Sequence, residues 1–152
     1  MRIFKTQISE VHEVVLMETH FENAPFIFPN SKEEHIRLIQ DDNIEHLMLK
    51  SENNETLGFA ILAGLKDSNI EFRRIVIKEK GKGYGRTAIR KIKQHCFEKL
   101  NCRRLWLDVL ANNDRARYLY QSEGFVEERK SNEGIIINDK FQQLVIMAMH
   151  KK

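Results

Sequence analysis

Cysteine and proline are scarce in this 152-residue chain, which holds two of each. Cys96 and Cys102 lack the spacing of a metal-ligand pair and no second pair accompanies them, so a zinc knuckle or ribbon is excluded and two reduced thiols are expected. The six histidines are scattered, and His12-Glu13 does not extend to HExxH because Leu16 holds the second ligand position. No metal is expected. No apolar run approaches the ~18 residues that a membrane-spanning helix requires. The start MRIFKTQISEVHEVV also lacks the basic-then-apolar order of a secretory signal. These absences predict a cytoplasmic protein without a membrane partner. An excess of one charge is missing too: 25 Lys and Arg against 22 Asp and Glu leave +3, too little to make nucleic acid the expected partner. With no repeat or low-complexity tract and 41% hydrophobic residues, the chain reads as one domain over 1–152.

Periodicity supplies the elements that are there. Residues 2 to 5 form a short strand, and Ile8, Val11, Val15 and Leu16 mark a helix to His20 that starts near Ser9. Glu22 to Asn30, with Phe26, Phe28 and both prolines, is a partly apolar loop suited to line a pocket. Ser31 with Glu33 and Glu34 opens a second helix, with Ile36, Leu38 and Ile39 as its apolar face. Glu45 to Lys50 and Thr56 to Gly64 pair as an antiparallel hairpin about the turn at 51–54, and Ile70 to Ile77 adds a strand. Gly83 to Leu100 is an amphipathic helix, and Arg104 to Val109 alternates as a strand. Asn113 caps a helix to Ser122 that Gly124 stops. Phe125-Val126 is strand-like and Gln142 to Met149 is a terminal strand, read as an edge that leaves monomer and homodimer open. The order implies a mixed α/β (α+β) domain with a strand-helix-strand crossover near residues 70 to 109.

Chemistry concentrates where the strand FRRIVI runs through KGKGYGR into the long helix. Glycines at 81, 83 and 85 let the backbone approach a ligand closely beside a helix N-terminus, while Lys80, Lys82 and Arg86 add positive charge. That is an anion cradle. It lacks the GK[ST] of a P-loop, and its G-x-G-x-G spacing does not match the dinucleotide-binding fingerprint.

Lys80-Gly81-Lys82-Gly83-Tyr84-Gly85 resembles the pyrophosphate-binding Q/R-x-x-G-x-G/A signature of the GNAT superfamily of N-acetyltransferases. Asn113 through Phe125, NDRARYLYQSEGF, is similar to the superfamily's N-x-x-A-x-x-L-Y-x-x-x-G-F, and the two blocks stand in the expected order with the strand LWLDV between them. The resemblance implies a GNAT-like fold: a central, mostly antiparallel mixed sheet with splayed central strands, flanked by helices. It implies acetyl-CoA as cosubstrate, with backbone groups of Ile75, Val76 and Ile77 pairing with the pantetheine arm and the amides from Gly81 to Arg86 holding the pyrophosphate. Asn113 would contact the cofactor arm, and Tyr120 would protonate the departing thiolate. Lys80 departs from the usual Gln or Arg, and the link IVIKEKG lacks the common proline. The chain also resembles the branch that includes ribosomal-protein N-terminal acetyltransferases.

The implied reaction is direct acetyl transfer to a primary amine in a ternary complex. A protonated amine, with a pKa of about 10.4, needs a base. Glu71 is the nominated carboxylate, with Asp108 as the second candidate. The acceptor stays open between a protein N-terminus or lysine and a small amine, polyamine or amino-sugar. The alternative is a CoA-binding sensor or regulatory domain without turnover.

Overall fold

A computed structural model describes residues 1–20 and 29–152. The pocket-lining loop expected over Glu22 to Asn30, including Phe26 and Phe28, falls mostly on residues 21–28, which lie outside the described residues. The elements run β1 (Arg2–Lys5), α1 (Val11–Thr19), α2 (Lys32–Gln40), β2 (Ile44–Lys50), β3 (Thr56–Ala63), β4 (Asn69–Ile77), α3 (Tyr84–Gln94), β5 (Arg104–Leu110), α4 (Asp114–Ser122), β6 (Val126–Ile137) and β7 (Lys140–His150). The strands form one sheet in the order β1-β2-β3-β4-β5-β7-β6. Among the described residues its one parallel pair is β4 with β5, joined by the expected crossover through α3.

Helices cover both faces, so the central strands must be apolar on both. Leu47, Leu49, Ala60, Leu62 and Phe72 pack with Ala88, Ile89 and Ile92 of α3 in the larger core. The residues that alternate with them, Met48, Phe59, Ile61 and Val76, pack with Val14 and Met17 of α1 and Leu38 of α2 in the smaller one. The sheet is thus the middle of three layers.

Three expectations need correction. The first helix begins as a 3-10 turn over Ile8–Glu10 capped by Gln7 rather than at Ser9. Its buried face is Val11, Val14, Met17 and Glu18, while Ile8 and Leu16 face solvent. The strand-like Phe125-Val126 opens a 12-residue strand, β6, that folds back on β7 through Asn138-Asp139. Both turn residues are left-handed, at φ 52° and 63°, as a two-residue hairpin turn requires. The terminal strand is therefore no edge: β7 lies between β5 and β6, and the edges are β1 and β6.

Candidate active site

The ladder between β4 and β5 is short. Pairing runs through Asn69↔Arg104, Ile70↔Leu105 and Glu71↔Trp106 and then stops. Beyond it, β4 stays bound to β3 as far as Ile77↔Gly58, and β5 stays bound to β7 as far as Leu110↔Leu144. A bulge contributes to the divergence: Ile61 faces Arg74 and Leu62 faces Phe72, so Arg73 is extra, and an extra residue bends its strand. A V-shaped gap opens within the sheet, with Phe72–Ile77 on one arm and Leu107–Leu110 on the other. Ile75, Val76 and Ile77 lie on the first arm, as expected. Their side chains divide between the two cores, while the backbone on the β5 side has no ladder partner and is available to an extended, amide-bearing ligand.

At the end of that arm the chain enters the glycine loop. Gly81 and Gly83 are left-handed, at φ 83° and 78°, and nothing stands within 4 Å of where a Cβ would project from either. Gly83 caps α3, so the first N–H groups of the helix point into open space at its positive end. Gly85 has a different role, since a Cβ there would meet Leu119 at 3.5 Å and Ile77 at 4.0 Å, where α4, α3 and β4 converge. Tyr84 lines a hollow of about 410 Å³ with Leu57, Lys78 and Lys82.

The cations around the loop are not all directed at it. Lys80 is exposed on the loop. Lys82 Nζ is 2.6 Å from Glu79 Oε2. Arg86 turns away to the end of α4, where Nη1 donates to Ser122 Oγ at 2.9 Å and to Glu123 Oε2. Glu123, nearly buried, also accepts from Arg90 Nε at 2.8 Å and Nη2 at 3.2 Å, with Lys93 Nζ at 3.9 Å. The Arg90 guanidinium foremost, and Arg86 with it, hold the Glu123 carboxyl below the ordinary range. Position 86 was expected to add charge for phosphates; its side chain instead clamps α3 to α4.

Helix α4 delivers the aromatic group. Asn113 Oδ1 accepts from Ala116 N at 3.3 Å, a helix cap, and sets the phase of the helix. Tyr120 then points inward, its ring edge-on to Phe125 at 5.6 Å and to Phe72, the first β4 residue beyond the paired segment, at 6.5 Å. Tyr118 is 70% exposed, so the inward role falls to Tyr120. Burial, and to a lesser degree the charge of Asp108, push the Tyr120 phenol above its ordinary pKa and keep it protonated.

Two carboxylates stand on the other face of the gap. Glu71 Oε1 accepts from Arg73 Nη2 at 3.1 Å and Nε at 3.2 Å. Asp108 makes no hydrogen bond or ion pair among the described residues. Partial loss of solvent around a residue that is still exposed, and the facing charge of Glu71, raise its carboxyl above the ordinary range, against the opposing effect of Arg73 and Arg74.

Sequence reasoning missed a buried polar chain on this face. Glu18 Oε1 accepts from Asn30 N at 2.7 Å and His35 Nε2 at 2.9 Å, and Oε2 pairs with Arg74 of β4. His35 Nδ1 then faces His46 Nε2 at 3.1 Å, and His46 Nδ1 faces Thr6 Oγ1 at 2.7 Å. Glu18, when ionised, accepts from His35 Nε2, and the donor and acceptor roles between His35, His46 and Thr6 follow from the tautomers of the two imidazoles. No sequence motif marks these residues, which come from five separate stretches. Among the described residues no cluster of three His, Cys, Asp or Glu side chains is placed to hold a metal ion, and no helix is long and apolar enough to cross a membrane.

The sequence profile of the acetyltransferase (GNAT) family matches residues 14–125. The spermidine N(1)-acetyltransferase of Vibrio cholerae is 28% identical over 132 residues, 85% of this chain and 76% of that protein. A putative ribosomal N-acetyltransferase of Bacillus subtilis is 31% identical over 72 residues, 47% of this chain and 39% of that protein. Among solved structures, the V. cholerae spermidine enzyme in complex with CoA and spermine superposes with a TM-score of 0.87 at 22% identity, covering 98% of this chain and 94% of that one. A dodecameric form of it gives 0.82 at 23% identity, covering 98% and 92%. At such identities the superposition shows the shared fold.

Proposed function

Since this chain belongs to the acetyltransferase (GNAT) family and is an N-acetyltransferase that moves the acetyl group of acetyl-CoA to a primary amine, we propose that its acceptor is a small polyamine. The observation that carries this reading is the pair of carboxylates, Glu71 and Asp108, at the point where β4 and β5 part. An amine that arrives as a cation is attracted by the Asp108 carboxylate, which makes no ion pair among the described residues, with Glu71 beside it in its pair with Arg73. The relatives favour the same choice over a ribosomal protein, because the spermidine enzyme matches 85% of the chain and the ribosomal one 47%.

In this reading acetyl-CoA lies along the open side of β4. Its pantetheine amides pair with the backbone of Ile75, Val76 and Ile77, and its pyrophosphate accepts from the amides of Gly81 to Arg86. Lys80 and Lys82 stand on the loop as neighbouring positive charges, Tyr84 flanks the loop, and Asn113 sits at the head of α4 beside the arm. Tyr120 reaches the sulfur from the α3/α4 layer and protonates it. The polyamine enters from the opposite face. The protein acts in the cytoplasm, as a monomer or a homo-oligomer.

The test is calorimetric titration with acetyl-CoA, followed by thiol release with spermidine, for the wild type and Gly83→Glu. Saturable binding by the wild type, lost in the variant, and release dependent on spermidine are expected. Binding that survives Gly83→Glu would remove the loop as the phosphate site. Turnover with an N-terminal peptide but not with spermidine would remove the polyamine.

A further inference from the structure

We infer that Asp108, not Glu71, takes the proton from the acceptor amine, resting on the reading of the gap between β4 and β5 as the reaction site. The placement follows from strand alternation. Leu105, Leu107 and Val109 turn into the larger core with α3, so Trp106 and Asp108 turn to the opposite face. Glu71, paired directly with Trp106, shares that face. Tyr120 belongs to the α3/α4 side, packed on Phe72 and Phe125, yet Asp108 acts on its phenol. The intact sheet separates the two faces everywhere but at the gap, which begins immediately after Glu71↔Trp106. Asp108 and Tyr120 therefore address one opening from its two sides, as a base on the amine and an acid on the sulfur must.

Glu71 is committed elsewhere. Both bonds from Arg73 end on Oε1 of Glu71, which ties that carboxylate to its own strand. Asp108 has no such partner among the described residues. The charged groups that face it are Glu71, Arg73 and Arg74 from β4 and Tyr120 from α4; its neighbour on β7, Ile146, is neutral. The negative charge of Glu71 favours a proton on Asp108, so Glu71 serves as a positioning and tuning residue for its neighbour.

The step balances. One ammonium proton passes to the Asp108 carboxylate and the freed nitrogen lone pair adds to the thioester carbonyl, forming the C–N bond. As the C–S bond breaks, the thiolate takes the Tyr120 proton and the phenolate recovers the second proton from nitrogen. Asp108 then returns its proton to solvent, one proton per turnover.

Asp108→Asn, Glu71→Gln and the wild type distinguish the roles through pH profiles with spermidine, each variant first titrated with acetyl-CoA to show that it is folded and binds. Asp108→Asn is expected to lower kcat by roughly 10²- to 10³-fold, leave acetyl-CoA affinity within a factor of about two, and recover about tenfold per pH unit as the amine loses its proton unaided. Glu71→Gln is expected to keep an acid limb in kcat/KM but move it to lower pH, because a like charge is gone. An Asp108→Asn enzyme that binds acetyl-CoA and turns over near the wild-type rate overturns the assignment. So does an acid limb that disappears in Glu71→Gln while Asp108→Asn keeps it at the wild-type pH. A wild type that binds no acetyl-CoA overturns the site itself, a result distinguishable from either.

Discussion

Tyr120 and Tyr118 lie two positions apart on one helix, and only the phase set at Asn113 decides which meets the gap. Truncating Tyr120 to Phe keeps the ring packing on Phe72 and Phe125 and removes one hydroxyl. The expected result is a 10²-fold or greater loss of kcat with acetyl-CoA affinity within about twofold. Tyr118→Phe, 70% exposed, is expected to change neither. Calorimetry with steady-state rates checks both, and a Tyr120→Phe enzyme of undiminished kcat would refute the acid role. Turnover itself also separates this chain from a sensor that binds CoA without reacting. The left-handed turns at Gly81 and Gly83 and the helix cap at Asn113 were legible because they depend on short-range backbone chemistry. The fate of Arg86 was not, because its partner Glu123 lies 37 residues away. The choice between Glu71 and Asp108 was hidden for a similar reason: it turns on where β4 and β5 part, which appears only once those two strands are in register.

The Glu123 clamp is the main polar tie between α3 and α4, the two helices that flank the cofactor side of the gap. One nearly buried carboxylate answers Arg86, Arg90 and Lys93, spaced along one face of α3. Glu123→Gln leaves those cations facing one another, and because Arg86 and Arg90 are themselves partly exposed the loss is screened to about 1–2 kcal/mol. A lower urea midpoint is expected, together with a several-fold weaker acetyl-CoA complex, since the helix that presents the cradle is no longer fixed to α4. An unchanged midpoint would show that apolar packing around Ile89 and Leu119 suffices. Elements with a clear period were legible: β4, β5 and α4 stand where their spacing puts them, while the helix expected from Gly83 to Leu100 is α-helical only to Gln94 and continues as a π-helical turn over His95–Lys99. Helix α1 was legible in place but not in phase, because Val14, Val15, Leu16 and Met17 are apolar in succession and fit several faces equally. Strand β6 escaped notice because VEERKSNEG is polar on both sides and a sheet neighbour, β7, supplies what its own sequence does not.

At the scale of the whole molecule, the two cores differ in how they respond to acid. The larger core is apolar throughout, while the smaller one adjoins the chain Thr6–His46–His35–Glu18–Arg74, which ties the residue after β1 to β2, α2, α1 and β4. Burial foremost, with the neighbouring His35, lowers the His46 pKa from 6.5 to about 4. A neutral His46 has one ring nitrogen to donate and one to accept, which suits its position between the Thr6 hydroxyl and the His35 ring. Below pH 6.5 the unfolded chain takes up a proton that the folded chain refuses, so stability is complete above that value, falls between 6.5 and about 4, and levels off beneath. Glu18, held below the ordinary carboxylate range by His35 and Arg74 despite its burial, contributes in the same direction: its share is present above the ordinary carboxylate value and is lost as pH falls through its folded value. The His46 shift alone corresponds to a loss of about 3 kcal/mol across the window. Urea unfolding at pH 7.5, 6 and 4.5 reads it as a steadily falling midpoint, and a midpoint constant over that range would contradict a neutral His46. Because Glu18 also holds Asn30 and Arg74 on the face proposed for the acceptor, acid is expected to raise KM for the proposed polyamine before it weakens acetyl-CoA, whose proposed cradle belongs to the other layer.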